Sequence, residues 1–84
     1  MKHVYLLQSL SHPHQHYIGI TSRLKQRLQE HNQGHASHTA KFKPWSLVLA
    51  ISFKDDDAAM EFESYLKSGS GKAFAKRHFW KPNK

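Results

Sequence analysis

The sequence predicts an α/β chain of the α+β kind: a small three-stranded antiparallel sheet flanked by helices, in the order β-β-α-β-α-α. Three observations predict it. Two short apolar runs, Val4 to Leu7 and His16 to Thr21, flank a polar segment of hairpin length. A third run, Trp45 to Phe53, alternates large apolar residues with smaller ones. The stretches after the second and third runs place apolar residues at the helical period.

Taken in order, Val4 to Leu7 is β-branched, aromatic and apolar, and reads as the first strand. Ser9 to Gln15, with Pro13, His12 and His14, is too polar to continue it and makes the loop. In the second strand Tyr17, Gly19 and Thr21 face one side and Ile18 and Ile20 the other. Thr21 or Ser22 can cap a helix from Arg23 to Gln33, which Gly34 ends. His35 to Pro44 has no sustained period and reads as a connecting loop. Trp45, Leu47, Leu49, Ile51 and Phe53 then mark the third strand, expected to be the central one. Asp55, Asp56 and Asp57 supply an N-cap and favourable charge for a helix whose apolar positions are Ala58, Ala59, Phe62, Tyr65 and Leu66. Ser68 to Gly71 breaks it, and Lys72 to Phe79 forms a third helix.

A chain of 84 residues builds one small core, so residues 1–84 are expected to form a single domain. The absence of cysteine excludes disulfide scaffolds and thiolate metal sites. The apolar run at the N-terminus is broken by Gln8 and Ser9 before it reaches signal-peptide length, and no segment is long enough to span a bilayer. The expectation is a cytoplasmic protein without a membrane partner. Thirteen basic residues against six acidic ones give a formal charge of +7, with eight histidines besides. Polyanions are the natural partners of such a field, although scattered lysines also serve solubility alone.

On the first helix Leu24, Arg27, Leu28 and His31 stand at i, i+3, i+4 and i+7, so an arginine and a histidine border the stripe facing the sheet. On the second, Ala59, Phe62, Glu63 and Leu66 repeat the spacing and put a carboxylate in the same place. Each has a bland explanation: a snorkelling arginine, a histidine bonded to backbone, a glutamate paired with Lys67 at i+4. Together with Tyr5 and Tyr17 on neighbouring strands they form a set able to orient water, stabilise a developing anion and hold a divalent cation. That is phosphodiester chemistry.

Val4-Tyr5, then Tyr17-Ile18-Gly19, then Arg27 and His31, then Glu63 within FESYLKSGSGKAF, closely resemble the GIY-YIG nuclease superfamily, in particular its small single-domain group similar to the amino-terminal domain of the excinuclease. The resemblance runs from Lys2 to about Phe79. It implies metal-dependent endonucleolytic hydrolysis, with Tyr5, Tyr17, Arg27, His31 and Glu63 as catalytic residues and Glu63 as the ligand of Mg2+ or Mn2+. Two departures stand out: His3-Val4-Tyr5 replaces Gly-Ile-Tyr, and the asparagine many members carry after the glutamate has no counterpart before Asn83.

The expected mechanism is in-line attack of water, with Arg27 supplying transition-state charge and Tyr17, Tyr5 or His31 as competing bases. Gly19 is expected to let a phosphate backbone approach, and Lys41, Lys43, Lys72, Lys76 and Arg77 to form a phosphate track. The expected partner is nucleic acid, DNA before RNA, read by shape because so short a chain has no appended recognition domain. A protein partner or a homodimer stays open. Two other readings stay open as well. One is a non-catalytic nucleic-acid-binding module in which Phe42, Lys43 and Trp45 contact the strand. The other is a zinc or copper site built from His12, His14, His16, His35 and His38.

Overall fold

The computed structural model describes residues 1–35 and 37–80. At its centre β1 (Lys2–Ser9) pairs antiparallel with β2 (His16–Thr21) on one side and β3 (Trp45–Phe53) on the other. The helices are α1 (Leu24–Gln33), α2 (Ser37–Ala40), α3 (Asp56–Lys67) and α4 (Gly69–His78). The sheet, its antiparallel pairing and the order of the main elements follow the sequence-based expectation. The short α2 is an addition, within the stretch read as a loop.

The central strand is β1, which corrects the expectation for Trp45 to Phe53. Val4, Tyr5, Leu6 and Leu7 are all buried, because helices cover both sheet faces above and below this strand. β3 is an edge strand, and its Leu47 and Val48 are among the most exposed large apolar residues. Alternation in the sequence marked a half-buried strand, and the unbroken run marked the fully buried one.

Register explains how one sheet serves two layers. Tyr5 opposes Gly19 and Leu7 opposes Tyr17, so these side chains share a face, while Val4 and Leu6 share the other with Ile20 and Ile18. Against β3, Leu6 opposes Leu49 but Leu7 opposes Leu47, leaving Val48 as the extra residue of a bulge. The bulge reverses side-chain parity along β3. Trp45 therefore packs with Tyr5 and Leu7, whereas Leu49 and Phe53 pack with Val4 and Leu6.

The first layer is covered by α1, whose Leu24 and Leu28 rest on Tyr5, Leu7 and Trp45. The second is covered by α3 and α4, whose Ala59, Leu66 and Ala75 join Val4 and Leu6 in an all-hydrocarbon cluster. Complete burial of each leucine or valine there contributes about 1.5–3 kcal/mol.

Helix ends obey local chemistry. The Thr21 hydroxyl accepts the Arg23 N–H at 3.0 Å just ahead of α1, where Arg23 occupies the N-cap without a side-chain bond. Gly34 closes α1 in the left-handed region at φ 81°, its N–H reaching the Glu30 and His31 carbonyls. Asp55 caps α3 by accepting from the Asp57 and Ala58 N–H groups. The break between α3 and α4 is one residue, Ser68, so α4 starts at Gly69 instead of Lys72. Ser68 donates its hydroxyl to the Tyr65 carbonyl at 2.6 Å and accepts the Gly71 N–H at 3.2 Å. Gly71 is buried so close to the Tyr65 carbonyl that any Cβ would overlap it. Among the described residues no helix is long and apolar enough to cross a membrane.

Candidate active site

Pairing of β1 with β2 sets Tyr5 and Tyr17 on one face, with ring centroids 6.1 Å apart. The helical period carries His31 beneath them: its ring lies 4.8 Å from that of Tyr17 and its Nε2 is 3.0 Å from the Tyr5 hydroxyl. His31 is fully buried, and its Nδ1 is 2.8 Å from the Thr39 hydroxyl. α2 thus closes the far end of a chain of polar contacts, Tyr5 to His31 to Thr39. The Thr39 carbonyl in turn accepts the Trp45 indole N–H at 2.9 Å. Among the described residues every buried side-chain polar atom has a partner, as low-dielectric surroundings require.

Gly19 lies directly under Tyr5. A Cβ there would stand 2.5 Å from the Tyr5 phenol oxygen and 2.9 Å from a Tyr17 ring carbon. The expected approach of a phosphate at Gly19 is corrected accordingly, because the space the glycine leaves is filled by the tyrosine ring.

Electrostatics divides the set. Burial first, and Tyr17 second, push the Tyr5 phenol up to about 12, with Arg27 pulling the other way. Burial, and then Arg27, hold the His31 imidazole below its ordinary value, so it is neutral at pH 7. Arg27 is raised, chiefly by its hydrogen bond to Glu30, with Tyr5 and Tyr17 adding to it against the cost of burial. Its guanidinium sits 3.0 Å from the Glu30 carboxylate with 36% of the side chain exposed. Tyr5 and His31 are inside the protein, while Tyr17 and Arg27 reach its surface.

Tyr17 opens onto a cleft of about 500 Å3 at the β2 edge, shared with His38 and with Lys67, Lys72 and Lys76 of α3 and α4. Arg27 opens onto a separate, shallower hollow of about 140 Å3 beside Thr21 and Glu30. Of the expected phosphate track, Lys72 and Lys76 line the cleft, whereas Lys41, Lys43 and Arg77 are exposed but are not among its lining residues. Lys41 instead lies over the Phe42 ring at 5.6 Å. Trp45 is buried core and offers no stacking surface, which removes it from the binding-module reading.

Glu63 comes from the other layer. On α3, Ala59 and Leu66 face the sheet and Phe62 turns toward β3, its ring 5.6 Å from Phe53. Helical geometry puts Glu63 on the other flank of that stripe from Phe62. Its carboxylate is 2.6 Å from the Lys67 ammonium and 17% exposed, and Lys67 is the residue that joins it to the cleft containing Tyr17. Among the described residues no three histidine, cysteine, aspartate or glutamate side chains gather as a metal cluster, and the histidine-site reading gains no support. Asn83 lies outside the described residues.

Three participants, Glu30, Thr39 and Trp80, have no role in the sequence-based expectation, and His16 has one there only as a metal-ligand candidate. Glu30 was legible as an i+3 partner of Arg27. Thr39 sits in the stretch read as loop, and the stacked pair His16 and Trp80, 3.8 Å apart, joins residues distant in sequence.

Paired tyrosines on adjacent strands, with a histidine and an arginine on the following helix, point to one class of domain. The GIY-YIG catalytic domain family matches residues 1–78, and the chain belongs to it. Among curated proteins it is similar to the "Structure-specific endonuclease subunit SLX1" of three yeasts. The Debaryomyces hansenii protein is 38% identical over 71 residues, covering 76% of this chain and 20% of its own. That of Candida dubliniensis is 37% identical over 82 residues, covering 89% and 27%. That of Malassezia globosa is 42% identical over 64 residues, covering 70% and 14%. The chain thus spans roughly a quarter or less of the length of these relatives.

Proposed function

We propose that this protein is a divalent-metal-dependent endonuclease that hydrolyses phosphodiester bonds of nucleic acid, structure-selective on DNA. One observation carries the reading. A buried, fully bonded Tyr5–His31–Thr39 chain backs two surface groups: Tyr17, which lines a cleft with three lysines, and Arg27, which lines a neighbouring hollow. The similar SLX1 proteins are named structure-specific endonuclease subunits, which supports both the substrate class and a protein partner.

Glu63 is the residue proposed to hold Mg2+ or Mn2+. Its carboxylate already pairs with a cation, Lys67, and one protein carboxylate completed by water and phosphate oxygens is an ordinary environment for Mg2+. Such an ion, when bound, supplies Lewis acidity at the phosphoryl oxygen. Tyr17 orients the attacking water, being the phenol that reaches solvent. Arg27, its fork fixed by Glu30, neutralises charge developing on the phosphoryl oxygens. Tyr5, buried and hard to ionise, and His31, with both ring nitrogens engaged, position Tyr17 from behind.

The test is incision of labelled branched and duplex DNA in Mg2+ or Mn2+ against EDTA. Cleavage is expected only with metal and preferentially at branches. Glu63→Gln should abolish it while leaving DNA binding and Tm nearly intact, and Glu61→Gln, exposed on the opposite side of α3, should be silent. Tight DNA binding without incision in either metal would instead establish a non-catalytic binding module.

A further inference from the structure

The cleft beside Tyr17 has features that phosphate binding alone does not need. At one end the rings of His16 and Trp80 stack with centroids 3.8 Å apart and planes within 4° of parallel. Trp80 is held in place by its backbone N–H, which donates to the Ala75 carbonyl at 2.9 Å, and by packing of its side chain on the hydrocarbon cluster. Between this aromatic wall and Tyr17 the lining is apolar, formed by Ile18, Leu66 and Ala75, and the ammonium groups of Lys67, Lys72 and Lys76 are the cations beside it.

We propose that this cleft is a subsite for one unpaired nucleotide of a DNA strand, its base laid against the His16–Trp80 stack and its phosphates held by Lys67, Lys72 and Lys76. The proposal deepens the nuclease reading above and rests on it for the identity of the polyanion. Duplex DNA presents phosphates and sugars outward but no base face, so it can satisfy the lysines and leaves the apolar lining wet. An unpaired nucleotide satisfies both, since every base has a π-face that stacks on aromatic side chains irrespective of sequence. The volume of about 500 Å3 lies within the range of sites that enclose a small ligand. Burial, with His14 adding to it, holds His16 below its ordinary value, so at pH 7 the wall presents a neutral aromatic surface. Because Tyr17 lines the same cleft, an occupied subsite places the neighbouring phosphodiester next to that phenol. Selection for strands that leave a duplex then follows from the shape of the site.

The experiment measures binding by fluorescence anisotropy in Ca2+, with the full chain and three labelled DNAs. These are a duplex, the same duplex with a single-stranded thymine arm, and the same arm with abasic sites, which keeps every phosphate and removes the bases. The thymine arm is expected to bind at least about fivefold tighter than the abasic arm, the lower end of what stacking one base contributes. Trp80→Ala and, separately, His16→Ala should erase that difference, and Trp80→Phe should keep it. Lys76→Ala should weaken all three DNAs together and lower the salt dependence. If Trp80→Ala fails to fold, His16→Ala decides, because His16 is an exposed residue at the start of β2 and lies outside the buried core. Equal affinity for the thymine and abasic arms, or a difference that survives His16→Ala, overturns the subsite. Base-dependent binding without incision in either Mg2+ or Mn2+ would overturn the nuclease reading and leave the subsite standing, and failure to bind any DNA would remove both.

Discussion

On one face of the sheet Val4, Leu6, Ala59, Leu66 and Ala75 pack hydrocarbon against hydrocarbon, whereas on the other Tyr5 shares its layer with a fully buried histidine and a buried threonine. Both layers hang from the same strand, in which every second residue changes sides. In the hydrocarbon layer, size and shape decide fit, and a lost methylene costs stability in proportion to the hole it leaves. In the polar layer each group has a particular partner, so the cost of a change depends on who is left unpaired. Separating the two allows a site with buried titratable groups to sit in a chain of 84 residues without weakening the packing that stabilises it.

The largest expected effect belongs to the hydrocarbon layer. Leu6→Ala, in the same cluster but outside the cleft lining, should lower the unfolding free energy by about 2–5 kcal/mol, measured by urea denaturation, with the single-turnover rate per folded molecule little changed. A variant equally stable but catalytically dead would show that the layers are not independent.

Arg27→Lys is the reverse case. The Arg27–Glu30 pair is 36% and 31% exposed, so Tm should not move. Lysine cannot reproduce a planar fork that grips two oxygens, and the single-turnover rate in Mg2+ should fall at least tenfold, about 1.4 kcal/mol, with DNA affinity in Ca2+ nearly unchanged. A wild-type rate would take Arg27 out of the chemistry.

The smallest effect is a pH dependence of stability. His31 is harder to protonate folded than unfolded, because of burial and then Arg27, and His16 likewise because of burial and then His14. Their contributions are fully present above the unfolded value of 6.5 and are lost as pH falls below it toward the depressed folded values. Unfolding free energy should therefore decline from pH 7 to 5, by at most ~1.4 kcal/mol per pH unit for each histidine. His31→Gln should flatten that decline, and His16→Ala should flatten it less, since its ring is more exposed. An unaltered slope in His31→Gln would place the acid sensitivity elsewhere.

Local periodicity made much of this legible. The period of two placed Tyr17 and Gly19 on one face, and the period of 3.6 brought Arg27 and His31 to the same side of α1. It could not tell that His31 enters the core instead of bordering it, because that depends on Thr39 arriving from α2 to satisfy Nδ1. The central place of β1 is hidden from the sequence for a similar reason. An alternating run over Trp45 to Phe53 conceals a bulge at Val48, whose extra residue is defined only by pairing with β1. The lysines were read as one track, yet which of them share a cleft is decided by how α3 and α4 dock on β2.

The serine at position 68 terminates one helix and starts the next, with Gly71 seated against the Tyr65 carbonyl. Such a corner has no slack. The backbone positions of Lys67 before it and Lys72 and Lys76 after it are thus set by one shared corner, which makes a single wall of two helices. The rest of the groove comes from His16, Tyr17 and Ile18 of β2 and from Trp80, so its width is set by how that strand edge sits against the corner.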